Sequence, residues 1–215
     1  MRIYTAITGD PVKSDLMKQY GLGMMISSHP RTAILKNAAE FPCALDNGAF
    51  SAWNSGYPFD EWAFLRTLSK CRENNLALDF IICPDIVAGG LNSLGFSLNW
   101  AKRLPCDKWA LAVQDGMLPV HLGSLAFKTY KYLFVGGTVD WKWQTAETWC
   151  KLAHREGLKC HIGRCSTVPE LRRAKEIGAD SCDSTVFVRN DRFDILEEFI
   201  DGVQQHLFEK ELCNG

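Results

Sequence analysis

Three aspartates of this sequence, Asp46, Asp85 and Asp183, each follow a short apolar run. Carboxylates held close together have pKa values that move apart, so that one is protonated while another stays ionised. Such a pair suits glycosyl transfer, in which an ionised carboxylate attacks an anomeric carbon and a protonated one assists the leaving group. Because an aspartate after a strand is also a common helix cap or turn residue, this chemistry requires that the three converge.

Residues that follow other apolar runs would suit recognition of a planar heterocycle. Gln114 offers both a hydrogen-bond donor and an acceptor. Gly136 and Gly137 would let the main chain approach a ring closely, because they carry no side chain. Together with the aspartates, these residues would suit a site that holds a planar heterocycle close to a carboxylate able to attack an anomeric carbon.

Eight short apolar runs predict the strands that would hold these residues. The runs are continuously apolar rather than alternating, which is typical of parallel strands covered on both faces. They are 3–7, 23–26, 43–45, 79–83, 109–113, 132–135, 159–162 and 180–182. Amphipathic stretches predict helices at 12–20, 30–39, 59–74, 91–103, 119–128, 143–156, 168–177 and 194–209.

Strict alternation of strands and helices predicts a parallel sheet with crossover helices. Eight units favour closure into a minimal (β/α)8 TIM barrel, an α/β fold formed as a single domain over residues 1–215. At about 27 residues a unit this barrel is tight, since the fold commonly takes about 250 residues; an open doubly wound sheet is the alternative. In a barrel, the residues that follow all eight strands gather at one mouth.

The formal net charge of −1 means that a nucleic-acid partner would have to meet a local basic patch. Arg164, Arg189 and Arg192 follow the last two predicted strands and are the candidates for phosphate contacts. Trp53 lies in the predicted loop after the third strand, where it would either stack on an unpaired base or pack at the rim.

Composition and N-terminal sequence indicate a soluble, cytoplasmic protein. No apolar run reaches the roughly 18 residues of a membrane span, and residues 1–10 lack the apolar segment of a signal peptide. The nine cysteines have no regular spacing, which predicts reduced thiols. Cys160, His161 and Cys165 could ligate a metal, but neighbouring strand residues point to opposite faces, so structural thiols are favoured and no metal is expected.

Four segments of the chain resemble, in the same order, motifs of the queuine tRNA-ribosyltransferases, also called tRNA-guanine transglycosylases. Residues 46–50 are similar to the Asp-Ser-Gly-Gly-Phe motif of that family, and residues 112–116 to its Ile-Val-Gln-Gly-Gly motif. Residues 135–137 resemble its Gly-Gly-Leu segment. Residues 163–192 resemble its Gly-Thr-Pro-Glu-Asp-Leu stretch and the Phe-Asp-Cys and Thr-Arg-Asn-Ala-Arg segments that come after it.

This resemblance implies a base exchange. Asp183 would be the nucleophile that attacks C1′ of the (deoxy)ribose, and Asp46 the acid/base that handles the purine proton. Asp85 would bind the guanine-like edge, with further substrate contacts from Asn47, Phe50, Gln114, Gly136 and Gly137. Guanine would leave, a glycosyl ester of Asp183 would form, and a 7-deazapurine would take the place of guanine without any cofactor.

The sequence differs from the tRNA enzymes of this family in two ways. The tRNA enzymes carry a Cys-x-Cys-x2-Cys…His zinc site after the barrel, and no such pattern follows Arg192, so we expect no zinc subdomain. Trp53 and the two residues before it stand where a glutamine is usual, which leaves the identity of the base open. The chain thus resembles the small 7-deazaguanine DNA transglycosylases of phages and bacteria. This implies DNA ahead of tRNA as the partner, a free 7-deazapurine base, and a bacterial or phage-infected host cell.

Two other functions stay open at this point. The net charge of −1 also fits an enzyme that transfers or hydrolyses the glycosyl group of a free nucleoside or nucleotide. A non-catalytic subunit would use the barrel to bind a base or a nucleic acid, but the presence of both Asp46 and Asp183 argues against it. A partner subunit and a homodimer are equally compatible with the sequence.

Overall fold

The protein folds as a closed barrel of eight parallel strands, β1 to β8, in which each strand pairs with the next and β8 pairs with β1. The computed structural model describes the backbone of residues 1–213 and the side chains of residues 1–203. The strands are Arg2–Ala6, Gly23–Ser27, Cys43–Asp46, Leu78–Ile82, Trp109–Val113, Tyr132–Val135, Lys159–Ile162 and Ser181–Asp183. The predicted TIM barrel is confirmed, and pairing of β1 on both edges excludes the open sheet.

Helices pack around the barrel and complete the single α/β domain. Within residues 1–213 they are α1 to α9: Pro11–Gln19, Ala49–Asn54, Glu61–Glu73, Leu91–Arg103, Ser124–Thr129, Val139–Arg155, Val168–Glu176, Val186–Arg189 and Asp194–Cys213. The Thr167 side chain caps α7 by accepting the Glu170 amide, as its Thr-Val-Pro-Glu sequence predicts.

The prediction of a helix over residues 30–39 is wrong. The segment forms a turn followed by a short 3-10 helix, Lys36–Glu40. The Thr32 hydroxyl closes the turn by donating to the Ser27 carbonyl at 2.6 Å, and Lys70 Nζ donates to the Thr32 carbonyl at 2.8 Å. Because side chains satisfy its backbone groups, this loop needs no helical ladder.

The helix predicted over residues 119–128 is split in two. Pro119–His121 forms a 3-10 turn, and α5 starts only at Ser124. Gly123 separates the two in an extended conformation, with φ −83° and ψ 174°. The sequence pattern did not predict α2 and α8, because helices of four to six residues are too short to show a periodic pattern.

The strands separate two cores. The larger core lies between the outer faces of the strands and the helices. The smaller core fills the barrel interior and consists of Tyr4, Ala44, Phe80, Ile82, Ala110, Ala112 and Tyr132. Tyr4 and Tyr132 both pack on Phe80, with ring centroids 5.5 and 4.6 Å away. The interior is therefore a packed plug, and a ligand reaches the barrel only from its ends.

The eight cysteines with described side chains are free, and all except Cys106 are buried. The side chain of Cys213, and residues 214–215 of the predicted domain altogether, lie outside the described part of the chain. In the described chain, no helix combines the length and apolar character needed to cross a membrane.

Candidate active site at the C-terminal mouth

Asp46, Asp85 and Asp183 all lie at the C-terminal end of the barrel. Asp46 is the last residue of β3, Asp183 is the last residue of β8, and Asp85 follows β4 by three residues. The charges of Asp183 and Asp85 both raise the pKa of Asp46, so each of these two groups lies within electrostatic range of Asp46. The three carboxylates therefore share one mouth, as the predicted barrel requires.

Asp46 is placed in a desolvated position by the tight turn after β3. Burial raises its pKa to about 6, and hydrogen bonds from the Gly48 amide at 3.3 Å and the Ser27 hydroxyl at 3.2 Å partly oppose the rise. Gly48 has φ +82°, and a Cβ at this position would lie 2.2 Å from the Ser28 carbonyl oxygen. Only glycine allows this turn, which directs an amide at the carboxylate. Asp46 can therefore exchange a proton close to neutral pH.

Asp85 is held by two side-chain amides. Asn47 Nδ2 donates to one carboxylate oxygen at 2.8 Å, and Gln114 Nε2 donates to the other at 3.2 Å. Burial raises the pKa of Asp85 to about 6 despite these two hydrogen bonds. The Gln114 amide also donates to Ser93 Oγ at 2.8 Å and to the Ile86 carbonyl at 3.0 Å. Asn47 and Gln114 thus position Asp85, and the Gln114 amide group faces the protein.

Asp183 receives both of its protein donors on one oxygen. His161 Nε2 lies 2.9 Å from Oδ1, and the Arg164 amide donates to the same atom at 3.3 Å. The other oxygen, Oδ2, accepts no hydrogen bond from the described residues, and 15% of the side chain is exposed. Asp183 therefore presents one satisfied oxygen to the protein and one free oxygen.

His161 is a site residue that the sequence analysis did not recognise. It is completely buried inside the barrel and stacks on Phe134 at a centroid distance of 4.9 Å and an interplanar angle of 14°. Its Nδ1 lies 2.9 Å from the Ser181 hydroxyl. Only one signal was available: Ser181 and Asp183 alternate along the neighbouring strand β8, so both share the inward face with His161.

Arg164 and Phe50 bridge the mouth between the loops after β7 and β3. The Arg164 guanidinium carbon lies 4.7 Å from the centre of the Phe50 ring, and its Nη2 donates to the Gly137 carbonyl. Arg164 has φ +57°, a strained conformation for a residue with a side chain. The buried Lys142 stabilises this strained backbone conformation, because its Nζ donates to the carbonyls of Gly163 and Arg164, both at 2.9 Å.

Packing within the loop after β6 explains why one residue of the predicted glycine pair, Gly137, has to be glycine. Gly137 has φ +76°, and a Cβ there would lie 2.5 Å from Asp115 Oδ2 and 2.7 Å from the Trp141 ring. Asp115, another residue that the sequence analysis missed, accepts from the Thr138 amide at 2.7 Å and its hydroxyl at 2.6 Å. Gly137 is thus required by loop packing, whereas a Cβ on Gly136 would make only ordinary contacts.

The residues proposed to contact nucleic acid differ in availability. Trp53 is half exposed, and its ring centroid lies 5.9 Å from that of Phe50. Arg189 is exposed, with no side-chain hydrogen bond to any described residue. Arg192 is occupied, because its Nε and Nη2 both donate to the Asp194 carboxylate at 2.8 Å. Within the described residues, Trp53 and Arg189 are exposed without a side-chain hydrogen bond, whereas the exposed Arg192 is paired with Asp194.

The alternative metal site is not assembled. Cys160 packs in the outer core, while its neighbour His161 points into the barrel, as strand alternation predicts. Among residues with described side chains, no group of three histidine, cysteine, aspartate or glutamate residues could hold a metal ion.

Neither any known protein-family profile nor any curated protein matches this chain. The family-level interpretation therefore depends on the four motifs and on the geometry that the barrel gives to Asp46, Asp85 and Asp183.

Proposed function

We propose that this protein is a pentosyltransferase that exchanges guanine in a nucleic acid for a 7-deazaguanine derivative, with DNA as the polymer. The observation that carries the proposal is the pair of carboxylates at one mouth. Asp46 has a pKa near 6, and Asp183 offers a free Oδ2. A group that exchanges protons beside a free carboxylate suits glycosyl transfer through a covalent intermediate.

The first step removes guanine. Oδ2 of Asp183 attacks C1′, and the C1′–N9 bond breaks with its electron pair moving to the purine. Asp46 donates its proton to the departing base and becomes a carboxylate. The products are free guanine and a glycosyl ester of Asp183.

The second step installs the new base. The incoming 7-deazapurine gives its N9 proton to Asp46, and N9 bonds to C1′ as the ester bond to Asp183 breaks. The electron pair of that bond returns to the Asp183 carboxylate. Asp46 is protonated again, so the cycle balances without a cofactor.

Asp85 is the proposed acceptor for the base. Guanine and 7-deazaguanines present N1–H and exocyclic N–H donors on one edge, which a carboxylate can accept. Because Asn47 and Gln114 each donate to a different oxygen of Asp85, the carboxylate plane is fixed before a base arrives. Adenine has no N1–H donor and would place the N1 lone pair against this carboxylate. Phe50, on the rim of the same mouth, offers an aromatic face to the base.

The rim supports a polymeric substrate. Arg189 and the half-exposed Trp53 are available for contacts with a phosphate and an unpaired base. A base in a duplex is buried in the stack, so its nucleotide has to be flipped out or supplied as a single strand. DNA is proposed ahead of tRNA because residues 1–215 contain no Cys-x-Cys-x2-Cys…His zinc pattern, which the tRNA enzymes carry.

A nucleoside-level enzyme is the second candidate, and one observation favours it. The Arg192 guanidinium is occupied by Asp194, which leaves fewer free cations near the mouth than the sequence predicts. With a net charge of −1, the protein then attracts a polyanion only through a small patch.

The test is incorporation of labelled guanine into single-stranded DNA, duplex DNA, tRNA and deoxyguanosine. We expect incorporation into DNA by the wild type and none by Asp183→Asn. Asp79→Asn, at the opposite end of the barrel, is the matched control and should retain activity. Exchange with deoxyguanosine alone would favour the second candidate. No exchange with any substrate by the folded protein would contradict both.

A further inference from the structure

We propose that His161 is a positioning residue that selects Oδ2 of Asp183 as the attacking atom and supports Oδ1 throughout the exchange. This inference rests on the proposed function and adds which oxygen of the Asp183 carboxylate attacks the sugar. The observation behind it is that a buried imidazole joins the Ser181 hydroxyl at 2.9 Å to Asp183 Oδ1 at 2.9 Å.

The hydrogen-bond partners assign the imidazole proton. An ionised carboxylate only accepts, so Nε2 of His161 has to carry the hydrogen that binds Asp183. The Ser181 hydroxyl can donate to Nδ1, and we assign Nδ1 as that acceptor in a neutral ring. His161 thus donates one fixed hydrogen bond and keeps its proton during the reaction.

Packing holds this donor in place. The His161 ring stacks on Phe134 and lies 5.0 Å, centroid to centroid, from Phe80. Tyr4 contacts it from a third side, with centroids 6.0 Å apart. Because the side chain has no exposed surface, the ring has little freedom to turn away from Asp183.

The two oxygens of Asp183 consequently differ. Oδ1 receives hydrogen bonds from His161 and from the Arg164 amide, which lower its electron density and fix the plane of the carboxylate. Oδ2 remains free to attack. In the glycosyl ester, Oδ1 becomes the carbonyl oxygen and keeps both donors, which assists departure of the carboxylate in the second step.

Two substitutions at position 161 separate positioning from packing. His161→Phe keeps an aromatic ring against Phe134 but removes the donor. His161→Gln keeps an N–H group in place of Nε2 but removes the stacked ring. Positioning predicts a fall in kcat of about 10²-fold for His161→Phe and less than about tenfold for His161→Gln. A purely structural histidine predicts the reverse order.

The experiment measures kcat and KM for the free base in the exchange assay, with thermal unfolding of each variant. We expect kcat to fall in His161→Phe while KM changes little, because Asp85 and its partners are untouched. Slower departure from Asp183 should also increase the fraction of protein trapped as a covalent complex with DNA. Equal rates for both variants, or a larger loss in His161→Gln, would overturn the proposal.

A second readout does not depend on exchange. The ¹⁵N shifts of His161 report its tautomer in the wild type and in Ser181→Ala. A neutral ring protonated on Nε2 in the wild type supports the assignment, and a ring protonated on Nδ1 or on both nitrogens refutes it. If the wild type exchanges no base, the proposed function fails, while the ¹⁵N spectrum still decides the hydrogen-bond arrangement.

Discussion

At the N-terminal end of the barrel, acidic groups have cationic or strongly bonded partners. Asp79 accepts the Tyr4 hydroxyl at 2.6 Å and lies 4.0 Å from the Arg2 guanidinium. Asp180 contacts His154 Nε2 at 2.8 Å and accepts the Cys160 amide at the same distance. Asp79 connects β4 to β1 across the end of the barrel, and Asp180 connects the start of β8 to the neighbouring β7. Each of these two carboxylates has a partner that compensates its charge or donates a hydrogen bond to it.

At the C-terminal end, the three aspartates of the candidate site are left less satisfied. Asp46 and Asp85 have only neutral donors, and burial raises the pKa of both to about 6. Asp183 leaves one oxygen without a partner among the described residues. Aspartates therefore stabilise the fold at one end of the barrel and destabilise it at the other. This pattern is expected when an active site is built on a stable scaffold.

The largest expected effect comes from removing the free carboxylate. Asp183→Asn should lower the exchange rate by about 10⁴-fold or more, because a carboxamide is a poor nucleophile. Asp79→Asn should leave the rate within about twofold, because Asp79 lies at the far end of a packed interior. Quantified incorporation of labelled guanine checks both variants. Comparable losses in the two would mean that the ends do not differ in function.

The next effect concerns the proton on Asp46. Asp46→Asn should lower kcat/KM by about 10²- to 10³-fold, since general acid catalysis is lost. In the wild type, kcat/KM should fall as the pH rises through about 6, because Asp46 must be protonated to assist guanine. An acidic limb should remain in the variant, because protonation of Asp85, also near 6, removes the base acceptor. A pH profile with an unchanged alkaline limb in Asp46→Asn would contradict this role.

Stability should respond in opposite directions at the two ends. The pKa of Asp46 is raised in the fold, so the folded state binds its proton more tightly, and the free energy of unfolding falls as pH rises from about 4 to about 6. Asp46→Asn should therefore be more stable than the wild type by about 1–2 kcal/mol at pH 8, with no gain below about pH 4. Asp79→Asn should be less stable by about 1–3 kcal/mol, because Tyr4 loses a charged acceptor. Urea unfolding at both pH values measures the differences, and a loss of stability in Asp46→Asn at pH 8 would oppose this interpretation.

The smallest expected effect lies on the rim. Trp53→Ala should weaken binding of single-stranded DNA by about tenfold, because base stacking on the exposed indole is lost. Arg192→Gln should change affinity less than about twofold, because Asp194 already occupies the guanidinium. Fluorescence anisotropy at two salt concentrations measures both. If Arg192→Gln is the more damaging variant, the ion pair with Asp194 opens to bind phosphate.

The strand pattern made most of the fold predictable. Continuous apolar runs locate all eight strands to within a residue or two, and the residue after each run then falls at the mouth. Asp46, Asp85 and Asp183 could be assigned to one end because parallel strands carry their C-termini to one side. The loop at 30–39 could not be predicted, because two of its carbonyls accept hydrogen bonds from the distant Arg66 and Lys70 of α3.

Buried polar residues were the main omission at the site. His161 lies in an apolar run, and its partner Ser181 is identified only once the register between β7 and β8 is known. Lys142 lies just before the helix predicted over residues 143–156, yet it belongs to α6, is completely buried and donates hydrogen bonds to the loop of Arg164. Local pattern reveals which face a residue occupies, whereas its partner depends on contacts between elements distant in sequence.

The Arg164–Phe50 bridge has a thermodynamic consequence for every ligand of the mouth. A planar molecule that stacks on the same face of Phe50 has to displace the guanidinium, and such cation–π pairs contribute about 0.5–1 kcal/mol at exposed sites. With such a pair, this face of Phe50 is uncovered for only about one third to one sixth of the time, and the apparent affinity of a stacking ligand is about three- to sixfold weaker than its intrinsic affinity. Removing the bridge would tighten ligand binding and, because linkage is reciprocal, binding would release Arg164 for another contact.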